Sequence, residues 1–139
     1  MTPTPPVSVL ILTRNEEQDL PGCLASVAWS DDVHVLDSFS EDATVAIARQ
    51  AGARVTQKAF AGYASQRNAG LALPFRHPWV LVLDADERVS APLVAEMATF
   101  VEGAAPGTVA ARMRRRDIWW GPTLICGPPL LIDGLGSVA

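Results

Sequence analysis

Three carboxylates, Asp84, Asp86 and Glu87, stand within four residues, directly after the apolar run 79–83. A run of Trp, Val and Leu without polar alternation predicts a strand that is buried on both faces, as in a parallel sheet. In an extended chain, residues two apart project to the same side, so Asp84 and Asp86 could face one hard cation or one hydroxyl-rich ligand together. The alternative is an acidic loop that only keeps the end of the strand soluble.

Two further polar clusters follow apolar runs in the same way. Residues 13–16, which include Thr13, Asn15 and Glu16, come after the run 7–12, and Asp37 comes after 33–36. Asn or Asp at such a position is commonly a turn residue. However, the carboxyl ends of strands in an open α/β sheet converge on the crevice where ligands bind, so three clusters together favour a site.

The elements that must position these clusters alternate along the chain. Helices are predicted over 16–27, 43–50, 62–73 and 91–101, and further strands over 54–57 and 108–113. Pro21 is unfavourable inside the first helix and could instead mark its true start. The order predicts an α/β fold with a doubly wound, mostly parallel sheet and helices on both faces. We expect a flexible leader at 1–6, a folded domain at 7–116 and an irregular tail at 117–139.

The composition narrows the class of protein. The chain has 139 residues, 49% of them hydrophobic, and a net charge of −4, which suits one folded domain and gives no reason to expect nucleic acid as a partner. Cys23 and Cys126 lack metal-ligand spacing, and we expect both to be reduced in the cytoplasm. The N-terminus does not read as a signal peptide, and no apolar run reaches about 18 residues, so any membrane contact is expected to be peripheral.

The ligand can be narrowed by the motifs that the sequence lacks. It contains no glycine-rich dinucleotide or nucleoside-triphosphate loop, no Gly-x-Ser-x-Gly elbow and no His-Glu-x-x-His. What remains is an acid-rich crevice, which would repel a phosphorylated ligand unless a divalent cation intervened. Oxygen ligands suit Mg²⁺ or Mn²⁺, and Thr13, Asn15 and Asp37 could then hold a base or ribose by hydrogen bonds.

Four segments carry a resemblance to a known family: 8–17 (SVLILTRNEE), 37–44 (DSFSEDAT), 66–68 (QRN) and 83–87 (LDADE). In this order they resemble the signatures of family 2 glycosyltransferases with the GT-A fold, and the closest likeness is to the bacterial branch that builds lipopolysaccharide cores and related envelope glycans. The resemblance covers about 7–116, which it implies is a nucleotide-sugar-binding domain.

The resemblance implies a role for each segment. The residues that it assigns to the nucleotide sugar are Thr13, Asn15, Glu16, Asp37, Gln66, Arg67, Asn68 and Asp84. Asp37 would read the base, Asp84 would face the ribose or sugar, and Asp86 would ligate the divalent cation. A plain helix-surface role is the alternative for Gln66 and Arg67. Glu87 is expected to be solvated, and the alternative is that it supports the metal-binding residues from behind.

The reaction implied is inverting transfer of a sugar from a nucleoside diphosphate sugar, expected to be a UDP-sugar, to a glycan or lipid-linked acceptor. The general base is not identified, because Asp117 and Asp133 are the only acids after Glu102 and neither lies in a recognisable base motif. Family members continue well beyond this length, so the chain is expected to be short at its C-terminus and, if it exposes apolar surface there, to self-associate. A non-catalytic nucleotide-sugar-binding module and a nucleotidyltransferase are the alternatives.

The basic cluster near the C-terminus allows two interpretations. Arg112 and the arginines at 114–116 are followed by Trp119 and Trp120. Basic residues beside tryptophans suit peripheral contact with an anionic membrane, at the inner face if the acceptor is lipid-linked. The alternative is an exposed basic strand with one tryptophan in the core.

Overall fold

A computed structural model describes residues 4–103, 110–112, 115–118, 123–126 and 130–133. Across these residues, none of the helices combines the length and the apolar character needed to span a membrane.

The centre of the fold is a parallel sheet of four strands. They are β1 (Val7–Thr13), β2 (Val33–Asp37), β3 (Arg54–Gln57) and β4 (Trp79–Asp84). They lie in the order β3-β2-β1-β4, with β1 between β2 and β4. All four were predicted, and three of them extend one residue further than their apolar run. Thr13, Asp37 and Asp84 are therefore the last residues of their strands, at one edge of the sheet.

Helices cover both faces of this sheet, which confirms the doubly wound prediction. The helices are α1 (Leu20–Ser26), α2 (Thr44–Gln50), α3 (Tyr63–Leu71) and α4 (Ala91–Gly103). One apolar cluster joins β1, β2 and β4 to α1, α2 and α4, with Val9, Leu81 and Met97 among its buried members. A second cluster, around Leu10 and the residues of α3, fills the opposite face.

The first helix is shorter than predicted. The expectation of a helix that begins at residue 16 is wrong, and the alternative that Pro21 marks the start is confirmed, because α1 begins at Leu20 with Pro21 in its first turn. Proline is tolerated there but not further inside a helix, since it lacks the N–H donor and its ring clashes with the preceding turn. Glu16 and Glu17 consequently lie in a loop before the helix, where their backbone can bond to other loops.

Two antiparallel additions extend the fold. The strands are β5 (Ala110–Arg112), β6 (Arg115–Ile118), β7 (Thr123–Cys126) and β8 (Leu130–Asp133). Strand β8 pairs antiparallel with β4, and β5 with β8, which gives a six-stranded, mostly parallel sheet; β6 and β7 pair with each other.

The prediction of an irregular segment over 117–139 is therefore wrong for β7 and β8, and the main sheet includes residues beyond 116. The cause is long-range pairing. Strand β8 is ordered by β4, about fifty residues earlier in the chain, whereas the surrounding Gly and Pro are local turn signals. The predicted strand 108–113 is found over Ala110–Arg112, and the rest of it, like Trp119 and Trp120, lies outside the described residues.

Candidate functional site

The ends of β1 and β2 meet at a buried carboxylate. Thr13 and Asp37 are paired in the sheet register, and Thr13 Oγ1 donates a 2.7 Å hydrogen bond to Asp37 Oδ1. Asp37 also accepts hydrogen bonds from Ser40 N at 2.8 Å, Ser40 Oγ at 2.5 Å and Gln57 Nε2 at 3.2 Å. Burial alone would raise the pKa of Asp37, but these donors outweigh it, and the pKa lies below its ordinary value.

These hydrogen bonds leave Asp37 little spare capacity. A carboxylate has about four acceptor positions, and the four donors occupy that number. Its exposure is 0%. In this structure Asp37 therefore holds the loop together through its hydrogen bonds. A nucleotide base could bond to Asp37 only by replacing one of these protein donors.

Asn15 joins the loops that follow β1 and β2. Its backbone N–H donates to Ser40 Oγ at 2.8 Å, and its side-chain Oδ1 accepts from Glu41 N at 2.8 Å. The φ angle of Asn15 is +52°, a left-handed conformation that Asn tolerates better than most residues. The side-chain oxygen of Asn15, predicted to contact the nucleotide, is thus already used within the protein.

The next residues tie the same loop to the start of α2. Glu16 N donates to Thr44 Oγ1 at 2.8 Å, Glu17 N donates to Asp42 Oδ2 at 3.2 Å, and Ala43 N donates to Glu17 Oε2 at 3.1 Å. The backbone after β1 is therefore held at successive residues. The carboxyl group of Glu16 is not used in these bonds and lies near the cluster of Asp84 and Asp86.

The electrostatics of Glu16 bring the first and third clusters together. Partial burial raises the pKa of the Glu16 carboxyl, and the neighbouring carboxylates of Asp86, Asp19 and Asp84 raise it further. The sheet register places these segments side by side, because Leu12, just before Thr13, is paired with Asp84. The loop after β1 and the turn after β4 therefore form one negatively charged region.

The turn after β4 presents two aspartates outward. Ala85 is buried, whereas Asp84 and Asp86 on either side of it are exposed. Asp84 N donates to Glu87 Oε1 at 2.8 Å, and Glu87 N donates to Asp84 O at 3.0 Å, so the side chain of Glu87 closes the turn. The expectation that Glu87 is only solvated is wrong.

The donor chemistry of this turn fits a hard divalent cation. Within the described part of the chain, no group of three or more His, Cys, Asp or Glu side chains is arranged to enclose a metal. Mg²⁺ in phosphate-binding sites is typically held by one or two carboxylates together with substrate phosphates and water. Asp84 and Asp86 offer such a partial set, and a cation between them would also relieve the repulsion on Glu16.

Of the three predicted residues in α3, the structure brings one to the clusters. Gln66 is 4% exposed and donates through Nε2 to Ser38 Oγ at 2.8 Å, while its buried Oε1 has no hydrogen-bond partner among the described residues. The helix-surface alternative is therefore wrong for Gln66. Arg67 and Asn68 are exposed, and their side chains make no hydrogen bond to another described residue.

Several residues of the network were missed by the sequence reasoning. They are Ser38, Ser40, Thr44 and Gln57. A local signal exists for Ser40, because an aspartate at a strand end commonly accepts hydrogen bonds from groups two or three residues further on. Gln57 carried no such signal, since its contact with Asp37 depends on the pairing of β2 with β3.

Comparison with known proteins identifies the family. Residues 8–125 match the family model for glycosyl transferase family 2. The chain belongs to this family. An uncharacterized glycosyltransferase from Rickettsia conorii is 40% identical to it over 95 residues, which are 68% of this chain and 33% of the relative. The chain thus spans about a third of the length of that curated relative.

Similarity to solved structures establishes the fold. Glucosyl-3-phosphoglycerate synthase from Mycobacterium tuberculosis, in complex with Mg²⁺ and UDP, matches with a TM-score of 0.61 and 24% identity, over 75% of this chain and 41% of that one. A mannosyltransferase from Pyrobaculum calidifontis, in complex with GDP-Man and Mn²⁺, matches with a TM-score of 0.62 and 23% identity, over 82% and 37%. The α/β, GT-A-type fold predicted from the sequence is confirmed.

Proposed function

We propose that this chain binds the donor of a metal-dependent glycosyltransferase, which transfers a sugar from a nucleoside diphosphate sugar to an acceptor hydroxyl with inversion. The observation that carries the proposal is the convergence of three strand-end clusters at one edge of the sheet. Thr13 is paired with Asp37 in the sheet register and hydrogen-bonded to it, and Leu12, next to Thr13, is paired with Asp84. Family membership supports the same reaction class.

The charge of the region supports a divalent cation as the cofactor. Asp84, Asp86 and Glu16 would repel a diphosphate, whereas Mg²⁺ or Mn²⁺ would bridge the carboxylates to phosphate oxygens and neutralise charge as the nucleotide leaves. We assign the metal contact to Asp86 and the ribose or sugar contact to Asp84, as the family resemblance implies, and the exposure of both on one turn is compatible with these roles. The complexes of the two structural neighbours with Mg²⁺ or Mn²⁺ support this choice.

The network around Asp37 supports a preformed pocket for the nucleoside. Thr13, Asn15 and Ser40 hold the two loops in one arrangement before any ligand binds, so little ordering cost remains at binding. We propose that the base exchanges with one of the donors to Asp37. Arg67 and Asn68, exposed on α3, are assigned to the diphosphate or the sugar.

For the donor we propose a UDP-sugar, and for the acceptor a glycan or lipid-linked hydroxyl in envelope or lipopolysaccharide synthesis. A lipid-linked acceptor would place the reaction at the inner face of the membrane. The catalytic base is not assigned to any residue of this chain. A chain that binds donor without transfer is therefore the second candidate, and binding and turnover must be measured separately.

The test of donor binding is calorimetric titration of the chain with UDP, UDP-glucose and GDP, in Mn²⁺ and then in EDTA. We expect micromolar-range binding that requires the metal and that falls by about 100-fold in Asp86→Asn, since direct metal ligation contributes several kcal/mol. The matched control is Glu96→Gln, which removes an exposed carboxylate from α4.

The control variant should bind like the wild type. Absence of metal-dependent binding of all three ligands, by a chain with a cooperative thermal transition, would contradict the proposed donor site. Binding of GDP in preference to UDP would support the proposed donor site but show that the nucleotide base is guanine rather than uracil. Binding of UDP-glucose without transfer to any acceptor would favour the second candidate.

A further inference from the structure

We propose that Arg88 is a positioning residue, which braces the turn 84–87 against α1 so that Asp84 and Asp86 stay aimed at the metal and the nucleotide. This inference rests on the proposed function. It concerns a residue that makes no contact with the donor in that proposal.

The first observation is the backbone contact of Arg88. Its Nη1 donates to Ala85 O at 3.0 Å and to Glu87 O at 2.9 Å. Ala85 O belongs to the peptide directly before Asp86, and Glu87 O belongs to the second peptide after it, so one guanidinium nitrogen bonds to the backbone on both sides of the proposed metal ligand. Holding the chain at these two points restricts the backbone between them and so the directions in which the Asp86 side chain can project.

The second observation is the cradle in which the guanidinium lies. A Cβ built on Gly22 of α1 would be 2.5 Å from Arg88 Nε and 2.7 Å from Nη2, closer than any real methyl can approach. The guanidinium therefore occupies the space that a side chain at residue 22 would take. Arg88 Nη2 is also 3.8 Å from Asp19 Oδ1, just before the helix.

The third observation is that α1 supports the same turn at two other places. Cys23 Sγ lies 3.9 Å from Asp84 O, and Val89 N donates to Ser26 Oγ at 3.0 Å. Cys23 and its neighbours in α1 are buried in the core, so α1 is a rigid base for these contacts. Arg88 completes the connection at the end of the turn that carries Asp86.

A purely electrostatic role for Arg88 predicts the opposite result. Its positive charge lies among acidic residues and would repel an incoming cation. If only the charge mattered, Arg88→Ala would bind Mn²⁺ more tightly than the wild type. If Arg88 acts by positioning, removal of the brace loosens the turn and weakens binding.

The decisive variant is Gly22→Ala. It keeps the charge of Arg88, but its new methyl group occupies the space in which the guanidinium lies. Alanine favours a helix more than glycine does, and the end of an arginine side chain can move away at little cost, so the melting temperature is expected to stay level or rise. The dissociation constant for UDP in Mn²⁺ is expected to increase about tenfold, the lower range for loss of a group that orients a metal ligand. A purely structural role would not move the two readouts in opposite directions.

Arg88→Lys and Arg88→Ala complete the set. Lysine keeps the charge but has a compact ammonium on a flexible stem, without the planar group that lies against Gly22 while its Nη1 bonds to both carbonyls, so Arg88→Lys should also bind about tenfold more weakly. The controls are Gly103→Ala, where a Cβ meets nothing within 4 Å, and Arg49→Lys, an exposed residue in the last turn of α2. Both controls should bind like the wild type.

Each outcome decides the matter. Wild-type affinity in Gly22→Ala and Arg88→Lys, or tighter Mn²⁺-dependent binding in Arg88→Ala, would overturn the positioning role while leaving the donor site intact. Absence of Mn²⁺-dependent binding by the wild-type chain itself would instead overturn the proposed function, and this inference with it. If Arg88→Ala fails to fold, Gly22→Ala and Arg88→Lys still give the answer.

Discussion

The paired loops after β1 and β2 and the turn after β4 end the same sheet at the same edge, yet they hold their carboxylates in opposite ways. Asp37 is buried and accepts four hydrogen bonds, whereas Asp84 and Asp86 are exposed and lie close enough to Glu16 to raise its pKa. One half of the site is satisfied before any ligand arrives. In the other half, the carboxylates of Asp84 and Asp86 are exposed, and together with Glu16 they outnumber the single positive charge of Arg88 beside the turn.

The difference indicates how binding free energy would be divided. The hydrogen-bonded half is built to give shape and selectivity at low ordering cost. The charged half is built to require a metal, because its repulsion is relieved only when a cation is present. The two halves should therefore respond in opposite directions when a carboxylate is neutralised.

The largest effect is expected at Asp37. Asp37→Asn removes the charge and turns one acceptor into a donor facing Ser40 or Gln57, so buried donors lose their partner. We expect the free energy of unfolding to fall by about 3 kcal/mol, measured by urea denaturation at pH 7. Asp86→Asn, measured alongside, should leave the stability level or raise it. Equal losses of stability in Asp37→Asn and Asp86→Asn would contradict the difference between the two halves of the site.

The difference in stability between the wild type and Asp37→Asn should depend on pH. Because the pKa of Asp37 is lower in the folded chain than its unfolded value of about 3.9, its contribution is fully present above that value. The contribution is lost as the pH falls through the folded pKa. The gap between wild type and Asp37→Asn should therefore narrow below about pH 4, and a gap of constant size would contradict the assigned cause.

A smaller effect of opposite sign is expected at Glu16. Its pKa is raised in the folded chain, so its favourable contribution is present below the unfolded value of about 4.3 and is lost as the pH rises through the folded value. At pH 7 without metal, Glu16→Gln should raise the stability by a few tenths of a kcal/mol, since the group is partly exposed. Thermal unfolding measures this, with Glu96→Gln as the control, and the gain should shrink when Mn²⁺ is added.

An effect of similar small size is expected at Phe39, between the serines of the hydrogen-bonded half. Phe39 has a φ of +52° and is 56% exposed. Phe39→Gly relieves the left-handed conformation, and this gain outweighs the added freedom of the unfolded chain by about 0.5 kcal/mol. Phe60→Gly, at an exposed residue whose φ is not positive, should destabilise instead. A loss of stability in both variants would show that Phe39 is not strained.

The parallel core was predictable because its signals are local. Each of β1, β2 and β4 is a mostly apolar run that ends in a polar residue, a pattern visible in neighbouring residues alone. The start of α1 was mispredicted because apolar spacing was given more weight than Pro21. Strands β7 and β8 were missed because no local pattern identifies a partner so distant in the chain.

Within the candidate site, the sequence identified the residues but not their partners. Asn15 and Asp37 were expected to face a ligand, and the structure shows their acceptors engaged with Glu41, Ser40 and other loop donors. Gln66 was left open between site and surface, and its burial against Ser38 decided between them. The assignment of these residues, and of Thr13, Arg67 and Asn68, to a nucleotide sugar stays a prediction.

By itself, the sequence determined the order of the elements, the fold class and the positions of the polar clusters, because apolar periodicity and motif spacing are properties of neighbouring residues. Only the tertiary structure decided which carboxylates are satisfied and which are not. Ser40 and Gln57 reach Asp37 through loop closure and strand pairing, and Gly22 makes room for Arg88 across sixty-six residues of chain. Such contacts depend on distances in space, which the spacing of residues along the chain does not contain.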